Sequence, residues 1–243
     1  MKIKKLQKLI DILRGKEKFC LIKHPLSLKK QKFFYDLYLH LFEIKKAIYL
    51  NFLSSNRPET LANIIQPTIF SGEGEIILDK TTTLGWYGHG LYFGNGTINA
   101  NLKTSKIKIG KDTILNNGFL IVSWSSSIEI GDNCNIGRNF TCYDSDFHPE
   151  APQERRNPDK LTSKPIKLGD NLFIGDNVTI LKGVSIGKNS IIGANSTVTS
   201  SFGDNVIIAG NPAKFVRYIK GFEPERERER ERERVNTLYL KAA

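Results

Sequence analysis

Residues 168–199 read in sixes, LGDNLF, IGDNVT, ILKGVS, IGKNSI, IGANST and then VT, and this rhythm limits the fold more than any other property of the chain. An aliphatic residue opens each six at Leu168, Ile174, Ile180, Ile186, Ile192 and Val198, and glycine follows it at positions 169, 175, 187 and 193. A period of six matches neither a helix nor simple strand alternation. Short parallel strands joined by tight corners satisfy it, because each turn of such a solenoid stacks about 4.8 Å on the last and buries one aliphatic row. With three six-residue sides per turn, residues eighteen apart stack, which puts Ile174 beneath Ile192 and Leu168 beneath Ile186. Val178, Val184, Ser190 and Ser196 would point inward where the cross-section is narrow, so the interior is filled and is not a pore. Glycine lets the corner backbone approach closely or take a positive φ, and the Asp or Asn at 170, 171, 176, 177 and 189 tolerates similar turn geometry.

Upstream, the sixes run through Ile109, Leu115, Ile121, Ile130 and Ile136, with about three extra residues around Trp124 that should bulge outward. Between Thr68 and Asn101 they are ragged, although IFSGEGEIILDK and TTTLG carry the aliphatic and turn residues of an opening coil. Within that part, the run from Gly85 to Gly96 sets Trp86, Tyr87, Tyr92 and Phe93 around His89; such a run either stacks on a sugar ring or packs as a plain loop. At Cys142 the rhythm stops for YDSDFHPEAPQERRNPDKLTSKPIK and restarts at Leu168, so residues 143–167 read as a loop thrown out of one face. VIIAGNPAKFVRYI ends the solenoid with a last coil, a turn at Gly210 to Pro212 and a short basic end.

The flanks differ in kind. Residues 1–60 form a basic helical region, in which Leu6, Ile10 and Leu13, then Phe34, Leu37, Leu41, Ile44, Ala47 and Ile48, fall at helical spacing. Pro25 and Ser27 divide this region into two amphipathic helices. These helices pack on each other, on the end of the solenoid or on a neighbouring subunit, with a peripheral membrane contact as the alternative. Most of the formal charge of +11 lies here, which fits an arm facing an acidic surface or phospholipid leaflet and argues against nucleic acid as partner. The solenoid, residues 61–219, is nearly balanced. In the tail, residues 220–243, Glu and Arg alternate; neither a helix nor a strand gains much from that order, so the tail reads as solvated and weakly ordered.

At 40% hydrophobic residues, a chain of 243 suits one well-buried domain with an appendage. Asp36, His40, Glu43, Lys45 and Lys46 interrupt the most apolar stretch, so no spanning helix is expected, and the N-terminus shows no secretory signal. Cys20, Cys134 and Cys142 form no zinc or disulfide pattern and suit free thiols in a reducing, cytoplasmic setting, at most at the inner face of the membrane.

Chemistry is expected in the loop, where Asp144, Ser145, Asp146, Phe147, His148 and Pro149 form the one compact acid-plus-imidazole cluster. One imidazole can take a proton from a hydroxyl and return it to a departing thiolate near neutral pH. A carboxylate on its second nitrogen would fix the tautomer, and Asp144 and Asp146 are both candidates. By spacing alone, a surface histidine ahead of a turn is the simpler account. Cys142 occupies an inward aliphatic place and reads as a buried thiol, not as a nucleophile.

The hexads resemble those of the hexapeptide-repeat acyltransferases. The resemblance implies a mainly β fold, a left-handed parallel β-helix with an N-terminal α-helical region and an extruded catalytic loop. The handedness comes from the resemblance, since it runs against the usual right-handed crossover. His148 followed by Pro149 is similar to the catalytic loop of the maltose, galactoside and xenobiotic acetyltransferases, and DSDFH is similar to bacterial polysaccharide O-acetyltransferases. The similarity runs from about Ile107 to Ile219 and implies His148 as general base.

By position, Asn117 would face the substrate hydroxyl; Trp124 and Tyr143, beside the loop, are further candidates for substrate contact. Acetyl-CoA is the implied co-substrate, with Phe173 (often Trp in the family), Asp176, Gly193, Ala194, Thr199 and Ser200 along its pantetheine arm and Lys214 and Arg217 near its phosphates. The family further implies a homotrimer with active sites between subunits, a saccharide acceptor and no metal. Amino-sugar N-acetylation and serine O-acetylation use the same scaffold. A zinc hydratase similar to γ-type carbonic anhydrase needs about three converging histidines, whereas His24, His40 and His89 lie away from the loop. A non-catalytic binding solenoid would keep its faces uninterrupted.

Overall fold

The computed structural model describes residues 28–58, 60, 62–86, 94–226 and 229. Strands of two to six residues lie on three flat faces, and the chain passes from one face to the next at every corner. Among the described residues face A holds eight strands, including Thr83–Leu84, Ile114–Leu115, Asn135–Ile136, Phe173–Ile174, Ile191–Ile192 and Val206–Gly210. Its last strand, Ala213–Tyr218, folds back antiparallel on Val206–Gly210. Face B runs from Thr68–Ser71 through Leu120–Ser123, Thr141–Tyr143 and Thr179–Ile180 to Thr197–Val198. Face C runs from Glu75–Leu78 through Ser127–Ile130 and Ile166–Leu168 to Ser185–Ile186.

The stacking expected from the sixes is present. Ile174 pairs with Ile192 on face A, and Leu168 with Ile186 on face C. All six opening aliphatics are buried, as are Val178, Val184, Ser190 and Ser196, so the interior is a filled core. Each apolar side chain taken out of water there contributes about 1.5–3 kcal/mol.

Two of the three corners are built from asparagine. Asn133, Asn171, Asn189 and Asn205 turn the chain from face C to face A, and Asn139, Asn177 and Asn195 turn it from A to B, all with φ between 54° and 60°. Their side chains join successive coils, as where Asn139 Nδ2 donates to Asn177 Oδ1 and Asn177 Nδ2 to Asn195 Oδ1. The glycines before them serve close approach. A Cβ on Gly131 would stand 2.3 Å from Asp170 Oδ1, which accepts the Asp132 N–H at 2.9 Å.

The B–C corner has no such ladder. Gly72 and Gly183 turn the chain there with φ of 95° and 77°, and two departures from the regular coil occur there. One is the insertion around Trp124, which separates Lys111 from its neighbour Asp132 by 21 residues where Asn171 and Asn189 are 18 apart. The other is the long loop, across which Asp132 and Asp170 are 38 apart and still hydrogen-bonded.

The chain divides into two compact units, residues 1–43 and 44–243. Helix α1 (Leu28–Ile48) is followed by a π-helical turn at Tyr49–Leu53. Beyond it, Ser54 Oγ accepts the Phe70 N–H at 3.0 Å and Asn56 Nδ2 donates to Gly74 O at 2.8 Å, which ties the incoming chain to the first coil. Most of the apolar stripe expected to pack is exposed along α1: Phe34, Leu41, Ile44 and Ile48 all face outward, while Phe42 is buried. The other expected helix, with Leu6, Ile10 and Leu13, lies outside the described residues, as does most of the Glu-Arg run. Among the described residues no helix is long and apolar enough to cross a membrane.

Candidate active site

The loop leaves face B after Tyr143 and regains face C at Ile166. Its neck is closed by an antiparallel bridge between Ser145 and Ser163, by Lys164 N–H donating to Asp144 O at 2.8 Å, and by a 2.9 Å hydrogen bond between Ser125 Oγ and Ser163 Oγ. Two short 3-10 turns, Pro152–Glu154 and Pro158–Lys160, shape the outer part.

Phe147 holds φ at 60°, a left-handed value that a residue with a Cβ seldom adopts. Its ring is gripped edge-on by Tyr143 at 5.3 Å and by Trp124 at 6.4 Å, and its N–H donates to Ser145 Oγ. His148 follows directly and is exposed. Its Nδ1 lies 2.9 Å from the carbonyl oxygen of Arg155. A carbonyl can only accept, so Nδ1 carries the proton, and in the neutral ring Nε2 keeps its lone pair.

Neither Asp144 nor Asp146 orients His148, contrary to the expectation from spacing. Asp144 is fully buried, and accepts hydrogen bonds from Trp124 N–H at 2.6 Å, Ser126 N–H at 2.9 Å and Ser123 Oγ–H at 2.8 Å. It builds the Trp124 turn, whose outward bulge carries the ring that meets Phe147. Asp146 is ion-paired with Lys182. Asn117 is also corrected as a substrate contact: it is buried, and its Oδ1 accepts the Trp86 N–H at 2.6 Å. Trp124 and Tyr143 are part-buried partners of Phe147. Cys142 is buried, and burial, with the Asp144 carboxyl close by, pushes its thiol well above the ordinary range. Most of the aromatic run around His89 lies outside the described residues; His40, on α1, contacts Asp36 O. Among the described residues no group of three or more His, Cys, Asp or Glu is placed to hold a metal ion.

Most of the residues expected along a thioester carrier lie elsewhere on the prism. A groove of about 450 Å³ on face A is lined by Trp86, Ile114, Asn135, Phe173, Ile174 and Asp176. Phe173 is 56% exposed. Register continues from Phe173 to Ile191, Ile207 and Arg217, about 14 Å at three strand spacings. Beside that row, Ala209 faces Gly193 on one side and Lys214 on the other, so the strip stays flat and ends in two exposed cations. Ala194 is exposed at the neighbouring A–B corner, whereas Thr199 and Ser200 are exposed between Thr197–Val198 on face B and Phe202 beside face C, at the same B–C corner as the loop.

Arg138 escaped the sequence reading. Its Nε and Nη2 donate to Asp176 Oδ2 at 2.9 and 2.6 Å and its N–H to Oδ1 at 2.7 Å, and these bonds hold the Asp176 carboxyl below its ordinary range. The B–C edge of a three-sided prism lies across from face A. His148 and the groove are therefore on opposite sides of one chain.

Comparison with known proteins agrees with this architecture. Residues 165–200 match the family described as bacterial transferase hexapeptide (six repeats). A crystal structure of the polySia specific acetyltransferase NeuO superposes with a TM-score of 0.50 and 25% identity, covering 76% of this chain and 84% of that one. A Dictyostelium discoideum protein provisionally named an acetyltransferase is 45% identical over 113 residues, 46% of this chain; the chain spans 58% of that relative's length. A Vibrio cholerae hexapeptide-repeat acetyltransferase complexed with acetyl coenzyme A shares 23% identity over 76% of this chain and 88% of its own, at a TM-score of 0.46. With residues 165–200 matched to that repeat and its three-faced coil described, the chain folds as a left-handed parallel β-helix of the kind seen in the NeuO acetyltransferase.

Proposed function

We propose that the chain is an O-acetyltransferase that moves an acetyl group from acetyl-CoA to a saccharide hydroxyl, with His148 as general base and each active site shared by two subunits of a homotrimer. The observation that carries the reading is the exposed imidazole whose Nδ1 is tied to Arg155 O, leaving Nε2 as the proton acceptor. The groove fits a long, thin, amide-bearing donor. Gly137 and Gly175 leave its backbone open beside Ile114 and Ile174, Phe173 offers an apolar wall, and the register that continues from Phe173 ends at Lys214 and Arg217, which suit phosphates.

Acetyl-CoA supplies the acetyl group activated as a thioester. His148 Nε2 takes the hydroxyl proton as the acceptor oxygen bonds to the acetyl carbon; as the carbon–sulfur bond breaks, the imidazolium returns that proton to the sulfur. The sum is an acetyl ester and free CoA. His148 on one edge and the groove on the opposite face favour a neighbour's groove as its partner, which is the reason for a symmetric trimer. The polysialic acid named for the NeuO relative favours a glycan acceptor.

The test is transfer from labelled acetyl-CoA to a panel of bacterial capsule and lipopolysaccharide glycans, including amino sugars. The expected product is hydroxylamine-labile, as an ester is, and His148→Ala lowers turnover at least about 100-fold with the melting curve unchanged. A stable amide product would shift the reading to N-acetylation, and full turnover by His148→Ala would overturn the assigned base.

A further inference from the structure

Lys182 stands in the turn between Thr179–Ile180 on face B and Ser185–Ile186 on face C, on the same B–C corner as the loop and one coil beyond it. A corner lysine is ordinarily a solvated side chain, yet this one is only 20% exposed. Its ammonium reaches both legs of the loop. It pairs with Asp146 on the outgoing leg, and donates to Thr162 Oγ1 at 2.9 Å on the returning one. Asp146 and Thr162 lie one step beyond the Ser145–Ser163 bridge, so Lys182 clips the neck just inside His148. Gly183 brings this turn against the loop's base, where its N–H donates to Lys164 O and a Cβ would meet Lys164 Cδ at 3.2 Å.

We infer that Lys182 is the positioning residue for His148, an inference that rests on the catalytic reading of that histidine. By holding both legs it sets how far the imidazole stands off the corner, and so its reach toward a neighbour's groove. Asp146 is 59% exposed on its side chain, so the pair adds little to global stability. Its effect is on placement, where an error on the order of 1 Å costs up to about 100-fold in rate. The carrier groove on face A is untouched by the clasp.

The test compares Lys182→Met, Lys182→Arg and Asp146→Asn in the full chain by hydrogen–deuterium exchange and steady-state kinetics. Lys182→Met and Asp146→Asn are expected to speed exchange across residues 145–163 and to lower kcat about 10- to 100-fold with KM for acetyl-CoA unchanged. Lys182→Arg, which keeps the charge, is expected to restore most of both. Unchanged loop exchange in Lys182→Met overturns the inference, whatever happens to the rate. So does a fall in melting temperature that accounts for the lost activity. Faster loop exchange in a protein whose wild type transfers no acetyl group would instead overturn the reaction and leave the clasp standing.

Discussion

His148 Nδ1 donates to the carbonyl oxygen of Arg155, seven residues further along the same loop, at 2.9 Å. The group that orients the imidazole is therefore backbone belonging to the loop itself. This arrangement predicts that neutral His148 is the tautomer protonated on Nδ1, the less common one for a free side chain. Nitrogen-15 spectra of the ring at a pH where it is neutral should show Nδ1 protonated; a proton on Nε2 would contradict the contact.

Asp144 should matter to the fold more than to the reaction. Replacing it by Ala strands the Trp124 and Ser126 N–H groups beside a buried side chain. A loss of about 2–4 kcal/mol in denaturant unfolding is expected, together with loosening of Trp124 on Phe147. A variant as stable as wild type would remove the account of that turn.

The Asp176 carboxyl, held low by Arg138, adds a dependence of stability on pH. A depressed folded-state value means the contribution is present above the unfolded value of about 3.9 and is lost as pH falls below it. Wild type should therefore lose stability relative to Asp176→Asn as pH is lowered from about 5 to 3, measured by parallel urea titrations. A constant difference over that range would show that the pair does not act this way.

Cys142 is inward, fully buried and pushed toward the protonated thiol. Peptide mapping after iodoacetamide at pH 8 should find it unmodified in the folded protein and modified in urea. Cys142→Ala should keep its acetyl-transfer rate. Alkylation of the native thiol with matching loss of activity would point to a covalent route.

The prism was readable from residues 168–199 because a period of six assigns every aliphatic to the inside, and stacking follows from three sides per turn. Even the Trp124 insertion showed as a miscount of the rhythm. Period could not reveal which polar groups converge. Asp144 lies two places after Cys142, in the part where the sixes stop, and its three donors come from a coil about twenty residues earlier. Lys182 looked like any corner residue until the loop folded over it. Arg138 and Asp176, 38 apart, meet only because the loop is bypassed. The stripe on α1 was legible as helical, but periodicity says nothing of whether a partner covers it.

In the proposed trimer the imidazole of one subunit serves the groove of another, and subunit complementation probes that sharing. His148→Ala and Phe173→Glu, each expected to be inactive alone, are co-expressed with separate tags and the mixed oligomers purified. Recovery of about one-third of the wild-type sites is predicted, since in every mixed trimer one of the three contacts joins an intact His148 edge to an intact face A. Mixed oligomers as inactive as either parent would contradict that sharing.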